Sequence, residues 1–141
     1  MVPNSGAGVV SKRATLADMA SRIVVIADET WTRNEVHAAL TEPDFTLVDH
    51  SDPGTIGELL EVETADALVV DLQVSSMGGM AIAREIHQQA AMAGIDAIPV
   101  VLLLDRKADS FLAKRAGVAG SVVKPFSAYD LRTAVENAIA G

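Results

Sequence analysis

The sequence predicts an α/β protein: an open, doubly wound sheet of five parallel strands. Three observations predict it. From residue 22 onward, short apolar runs alternate with stretches of helical period. The runs are almost continuously apolar, which requires helices over both faces of the sheet, as in parallel sheets. The chain has 141 residues, whereas a closed eight-stranded α/β barrel takes about 250.

Taken in order, IVVIA (23–27) is β-branched and reads as a buried strand. Residues 31–41 carry Val36, Ala39 and Leu40 at helical spacing. FTLVD (45–49) is a second strand. Pro53 and Gly54 punctuate the chain, and residues 55–62 read as a short helix with Ile56, Leu59 and Leu60 on one face. ALVV (67–70) is a third strand, ending at Asp71. Gly78 and Gly79 mark a loop, and residues 80–92 form a helix with Ile82, Ile86 and Ala90 in one stripe. Pro99 opens the most apolar strand, VVLLL (100–104), at a position where its missing N–H is tolerated. Residues 105–116 read as a helix stopped by Gly117. GSVV (120–123) is the fifth strand. Ser127 is placed to cap a last helix whose Leu131, Val135 and Ile139 repeat at every fourth position. Residues 1–20, with Pro3, Gly6 and Gly8, are expected to be a disordered or weakly ordered extension, and residues 21–141 a single domain.

Composition excludes several functions. Net charge is −8, with 11 Lys and Arg against 19 Asp and Glu, which opposes a nucleic-acid surface. The absence of cysteine removes disulfides, thiolate zinc sites and thiol catalysis. No apolar run approaches the ~20 residues of a membrane span, and no signal-peptide pattern opens the chain, so a cytoplasmic protein is expected.

In a doubly wound sheet, ligands bind beyond the carboxyl ends of the strands. Asp28 and Glu29 follow the first strand, Asp71 ends the third, and Lys124 with Pro125 follows the fifth. Carboxylates gathered at one edge suit a hard divalent cation such as Mg²⁺. A carboxylate can also act as a nucleophile toward phosphorus, and an ammonium opposite it would pair with a phosphoryl oxygen. Singly, each residue has a plainer role as a turn former, helix cap or surface lysine. Their joint placement after strands one, three and five is what points to phosphoryl transfer.

The stretches IVVIADE (23–29), ALVVDLQVSSMGG (67–79), IPVVLLL (98–104), AGVAGSVVKPF (116–126) and YDLRTAVENAI (129–139) resemble the receiver domain of bacterial response regulators. The resemblance covers residues 21–141 and implies a flavodoxin-like (βα)5 fold with strand order 2-1-3-4-5. It implies two-component phosphorelay signalling, with a phosphoryl group carried on Asp71 and received from a histidine kinase or phosphotransfer protein. Lys124 would contact the phosphate. Mg²⁺ would be held by Asp28, Asp71 and the backbone carbonyl of Gln73. No catalytic activity as an enzyme is expected.

Several positions depart from the family pattern. Ala27 replaces the first of two adjacent acids, with Glu29, one place beyond, as a compensating acid. Leu104 stands where the family has a hydroxyl that couples phosphorylation to movement, and Asp105 follows where a small residue is usual. Ser121 replaces the aromatic switch residue of the fifth strand. Ser75 stands for a usual Pro, and Gly78 for a frequent Asp. The stretch from Leu104 to the Ala-Gly pair is short, which implies a trimmed fourth helix. These changes leave an alternative: a pseudo-receiver that binds proteins without being phosphorylated.

A flavin-binding reading of Thr30 and Thr32 fails for want of Gly and hydroxyls. His37, His50 and His87 lack catalytic or metal spacing, and Trp31 would be a fluorescence reporter beside the site. As a stand-alone module the chain would act by docking on a downstream protein. The resemblance implies a docking or homodimer surface on the fourth helix, fifth strand and fifth helix, presenting Phe111, Lys114, Arg115, Ser121 and Tyr129, with neither nucleic acid nor membrane as a direct partner.

Overall fold

The structure, a computed structural model, describes residues 20–50, 65–72, 78–94 and 97–141. In chain order it runs β1 (Ser21–Ile26), α1 (Thr30–Ala39), β2 (Phe45–Asp49), β3 (Ala67–Asp71), α2 (Gly79–Ala93), β4 (Val100–Leu104), a 3-10 turn (Lys107–Asp109), α3 (Ser110–Arg115), β5 (Gly120–Val123) and α4 (Ala128–Ala140). The five strands form one parallel sheet in the order β2-β1-β3-β4-β5. This is the fold expected from the sequence. The extension at residues 1–19, the helix expected over 55–62, and Gln73 and Ser75 lie outside the described residues.

The continuous apolar runs of the central strands β1, β3 and β4 do what their lack of alternation demands, since each of these strands buries both faces. Ile23, Val25, Ala67, Val69, Val101, Leu103 and Val122 pack under α1 and α4 through Val36, Ala39, Leu40, Leu131, Val135 and Ala138. Val24, Ile26, Leu68, Val70, Val100, Leu102 and Leu104 pack on the other face against Ile82, Ala83 and Ile86 of α2 and Ala113 of α3. Every residue of β3 and β4 is buried, because these strands are flanked on both sides within the sheet as well. Among the described residues, no helix is long and apolar enough to cross a membrane.

The helix ends follow local chemistry. Ser127 caps α4, its Oγ accepting from the Asp130 N–H at 3.0 Å. Ser127→Ala should therefore cost about 1 kcal/mol, read as a lower urea midpoint at unchanged slope. At the end of α3, Gly117 takes φ +83°, while its N–H reaches the Lys114 carbonyl and that of Val118 reaches Ala113. That double bond closes the helix in the pattern that favours glycine.

One helix differs from expectation. The helix expected from residue 105 begins, as an α-helix, only at Ser110. Arg106 is extended (φ −136°, ψ 144°), and a single 3-10 turn from Lys107 to Asp109 precedes α3. The Arg106 guanidinium reaches the Asp109 carboxylate at 3.2 Å across that turn. Asp105 lies outside any helix and makes an ion pair described below.

Candidate phosphoryl-transfer site

All five strands point the same way, so their carboxyl ends share one edge. Residue register then sets the neighbours. Ile26 pairs with Val70, Asp71 with Leu103, and Leu104 with Val123. Asp28 lies two residues beyond the end of β1, Asp71 closes β3, Asp105 lies one beyond β4, and Lys124 one beyond β5. Residues separated by up to 96 positions thus meet at one rim.

Lys124 is the centre of the arrangement. Its Nζ donates to Asp71 Oδ1 at 2.9 Å and lies 2.9 Å from Asp105 Oδ1. Side-chain exposure is 1% for Asp71, 12% for Lys124 and 40% for Asp105. The site is therefore graded from a closed Asp71–Lys124 contact inward to an open Asp105–Lys124 contact at its mouth. Burial works to lower the Lys124 pKa, but hydrogen bonds and charge from Asp71 and Asp105 outweigh it, and the net shift is upward. A raised lysine pKa contributes stability that is complete below the ordinary lysine value and disappears as pH climbs through the raised one. Near neutral pH the ammonium is fully charged and both contacts are charge-assisted.

The backbone fixes these side chains. The Lys124 N–H donates to the Leu104 carbonyl at 2.7 Å, and the Leu72 N–H to the Leu103 carbonyl at 2.9 Å, so the pairing of β3, β4 and β5 continues past their last residues. Gly79, the first residue of α2, lies close behind Asp71. A Cβ there would come within 2.8 Å of both the Asp71 carbonyl oxygen and Leu102 Cδ2. Glycine is what lets α2 start against the end of β3.

The β1–α1 loop is organised by a residue the sequence did not single out. Arg33 Nη1 donates to the carbonyls of Ala27 (2.7 Å) and Asp28 (2.8 Å), and Nη2 to Thr30 Oγ1 at 3.1 Å. A guanidinium thus clasps the loop at the place where Ala27 supplies no acid. Asp28 and Glu29 are exposed. Glu29 occupies the N-cap position of α1 without a side-chain capping bond. Trp31, 54% exposed, lines a small cleft with Thr32, Glu35, Lys124, Pro125 and Phe126.

A hard cation needs oxygen donors, and Asp28 and Asp71 are of that type. Among the described residues, no group of three or more His, Cys, Asp or Glu is arranged to hold a metal ion. The chemistry of the two carboxylates is that of ligands Mg²⁺ takes together with its own water.

The two positions expected to be altered stand as follows. Leu104 is fully buried and belongs to the core under α2 and α3. Ser121 is half-buried on β5, beside a groove lined by Tyr129, Thr133 and Asn137. Phe111, Lys114, Arg115 and Tyr129 are exposed. His37 and His87 are exposed too, with His37 paired to Asp49 at 2.9 Å and His87 bonded to the Gly117 carbonyl at 2.7 Å.

A parallel 2-1-3-4-5 sheet with a closed acid–lysine pair at its carboxyl edge defines a receiver-type signalling module. The chain belongs to the response regulator receiver domain family, whose pattern it matches over residues 23–136. It is 28% identical over 117 residues to the chemotaxis protein CheY of Pseudomonas aeruginosa, covering 82% of this chain and 93% of that one. It is 22% identical over 115 residues to the aerobic respiration control protein ArcA of Escherichia coli, covering 82% of this chain and 47% of that one. The chain thus spans about half the length of ArcA. Among solved structures, the N-terminal signal receiver domain of a Bacteroides fragilis two-component response regulator aligns with TM-score 0.72 and 25% identity, over 86% of this chain and 98% of the other. The receiver domain of a Pseudomonas aeruginosa sensor histidine kinase, solved with a magnesium ion coordinated in its active site cleft, aligns with TM-score 0.71 at 18% identity, over 86% and 99%. At such identities the likeness speaks to fold.

Proposed function

We propose that this chain is a phosphoryl-accepting receiver in which Asp71 takes a phosphoryl group from a histidine kinase or phosphotransfer protein. The observation that carries the reading is the Asp71 carboxylate, 1% exposed at the end of β3, with the Lys124 ammonium 2.9 Å from its Oδ1. In the transfer, a carboxylate oxygen of Asp71 forms a bond to phosphorus as the bond from phosphorus to the donor atom breaks. Lys124 then neutralises a phosphoryl oxygen, which is the main task of any protein group in such a step. Asp28, Asp71 and the backbone carbonyl of Gln73 would hold Mg²⁺, with Glu29 as a compensating acid near Ala27. The bound cation would supply further neutralising charge. The receiver domain solved with magnesium supports a cation at this edge.

The chain acts in this reading as a cytoplasmic signalling module, not as an enzyme with a turning-over substrate. Leu104 and Ser121 provide neither the hydroxyl nor the aromatic of the usual switch, so output takes another route. The exposed Phe111, Lys114, Arg115 and Tyr129 offer a surface for a downstream protein or a second copy.

One observation favours a second reading. Leu104 is part of the apolar core and has no donor to offer a phosphoryl group. A pseudo-receiver that binds its partner regardless of phosphorylation is consistent with that. Incubation with acetyl phosphate and Mg²⁺, read by intact mass, separates the two. The phosphoryl-accepting reading expects a gain of ~80 Da that Asp71→Asn abolishes. No gain in the wild type would leave the pseudo-receiver.

A further inference from the structure

We infer that Asp105 is a resident competitor for Lys124, and that the Asp105–Lys124 contact governs how readily Asp71 accepts a phosphoryl group. This rests on the reading of Asp71 as phosphoacceptor and adds a regulatory residue to that site.

A lysine ammonium has three N–H groups. In the structure one goes to Asp71, and the Asp105 carboxylate sits at the same 2.9 Å distance. An incoming phosphoryl group carries about −1.5 to −2 charge and needs the same ammonium. It must then share Lys124 with a like-charged carboxylate or displace that carboxylate. Asp105 thus already fills the role toward Lys124 that a phosphoryl oxygen would take.

The two contacts are not equivalent. Asp71 is closed to solvent, whereas Asp105 is 40% exposed and lies in the turn between β4 and the 3-10 segment. A half-exposed ion pair is weak and opens at small cost. The nearest alternative cation in sequence, Arg106, reaches Asp109 at 3.2 Å. The pair at the mouth is therefore the part of the site that can open while the Asp71 contact holds. Anything that draws Asp105 outward, such as a cationic group on a docked phosphodonor, frees the lysine for transfer. Leu104 ties this to backbone position, because its carbonyl accepts the Lys124 N–H and its side chain is locked in the core. Opening is thereby assigned to the Asp105 side chain.

The test uses the full chain with acetyl phosphate and Mg²⁺, following the phosphorylated fraction by intact mass over time. Wild type, Asp105→Ala and Asp105→Asn are compared, with Asp71→Asn as the blank. The competitor role expects both variants to accept phosphate faster, by about fivefold, the scale of one half-exposed ion pair. Asp105→Asn retains the shape and removes the charge, so it isolates competition from crowding. Rates equal to or below wild type in both variants, with the wild type labelled, overturn the competitor role and leave Asp71 as phosphoacceptor. Acceleration in Asp105→Ala alone overturns it as well, since relief of bulk would then be the cause. Failure of all three to label overturns the Asp71 reading, and the competitor role falls with it.

Discussion

Lys124→Met should lower the free energy of unfolding by about 3 kcal/mol, because it leaves a closed carboxylate without its ammonium. Asp71 is 1% exposed and relies on Lys124 Nζ at 2.9 Å. Methionine keeps most of the aliphatic stem, so the loss mainly reports the charge. The same substitution also brings Asp105 and Asp71 to the rim with no cation between them. Urea unfolding followed by Trp31 fluorescence gives the number. The cause is separated by a second background: with Asp71→Asn already present, Lys124→Met should cost at least about 1 kcal/mol less, because contacting residues are non-additive. Additive losses would mean that the ion pair is not what stabilises the rim. Phosphate acceptance, measured on the same proteins, should also be lost in Lys124→Met.

Leu104→Thr is the second large effect, and its two consequences pull in opposite directions. It places a hydroxyl where the family has one, directly before Asp105. It also removes a fully buried leucine from the cluster formed with Val70, Ile82 and Leu102. The transfer and cavity terms together should cost about 3 kcal/mol, with a further penalty if the new hydroxyl finds no partner. Thermal unfolding should therefore show a clear loss of stability even if phosphate acceptance improves. A neutral result would mean that the α2 face can collapse around a smaller side chain. Leu104 is in this sense a structural commitment: the position has been taken into the core, and a switching hydroxyl cannot be restored there without repacking α2.

Most of the fold was legible because it rests on local pattern. Phe45–Asp49, Val100–Leu104 and Gly120–Val123 stand at the bounds their apolar runs suggested. The α4 stripe of Leu131 and Val135 and its Ser127 cap are equally local signals. The start of α3 was not legible, since Asp105 and Arg106 are acceptable helix-terminal residues by composition. In the structure Asp105 instead pairs with Lys124, 19 positions away, and Arg106 is extended and reaches Asp109. The same limit applies to the site. That Asp71 and Lys124 share an edge follows from each ending or following a parallel strand. The inward turn of Asp105 is a side-chain choice set by charge across the rim. The Arg33 clasp on Ala27 and Asp28 leaves no sequence signature, because its acceptors are backbone carbonyls that any residue supplies.

The Asp71–Lys124 contact spans 53 positions and crosses two strand pairings. It has a consequence for how the protein comes into being. During synthesis, β3 emerges long before the lysine, and no local segment contains both halves of the contact. A nascent or partly folded chain without docked β5 therefore has the acid but lacks its cation. If Asp71 is the phosphoacceptor proposed above, competence to receive a phosphoryl group arrives only once β5 has paired with β4. On that reading, a kinase that requires this rim would be blind to incomplete chains, and the order in which the sheet closes would act as a proofreading step on signalling.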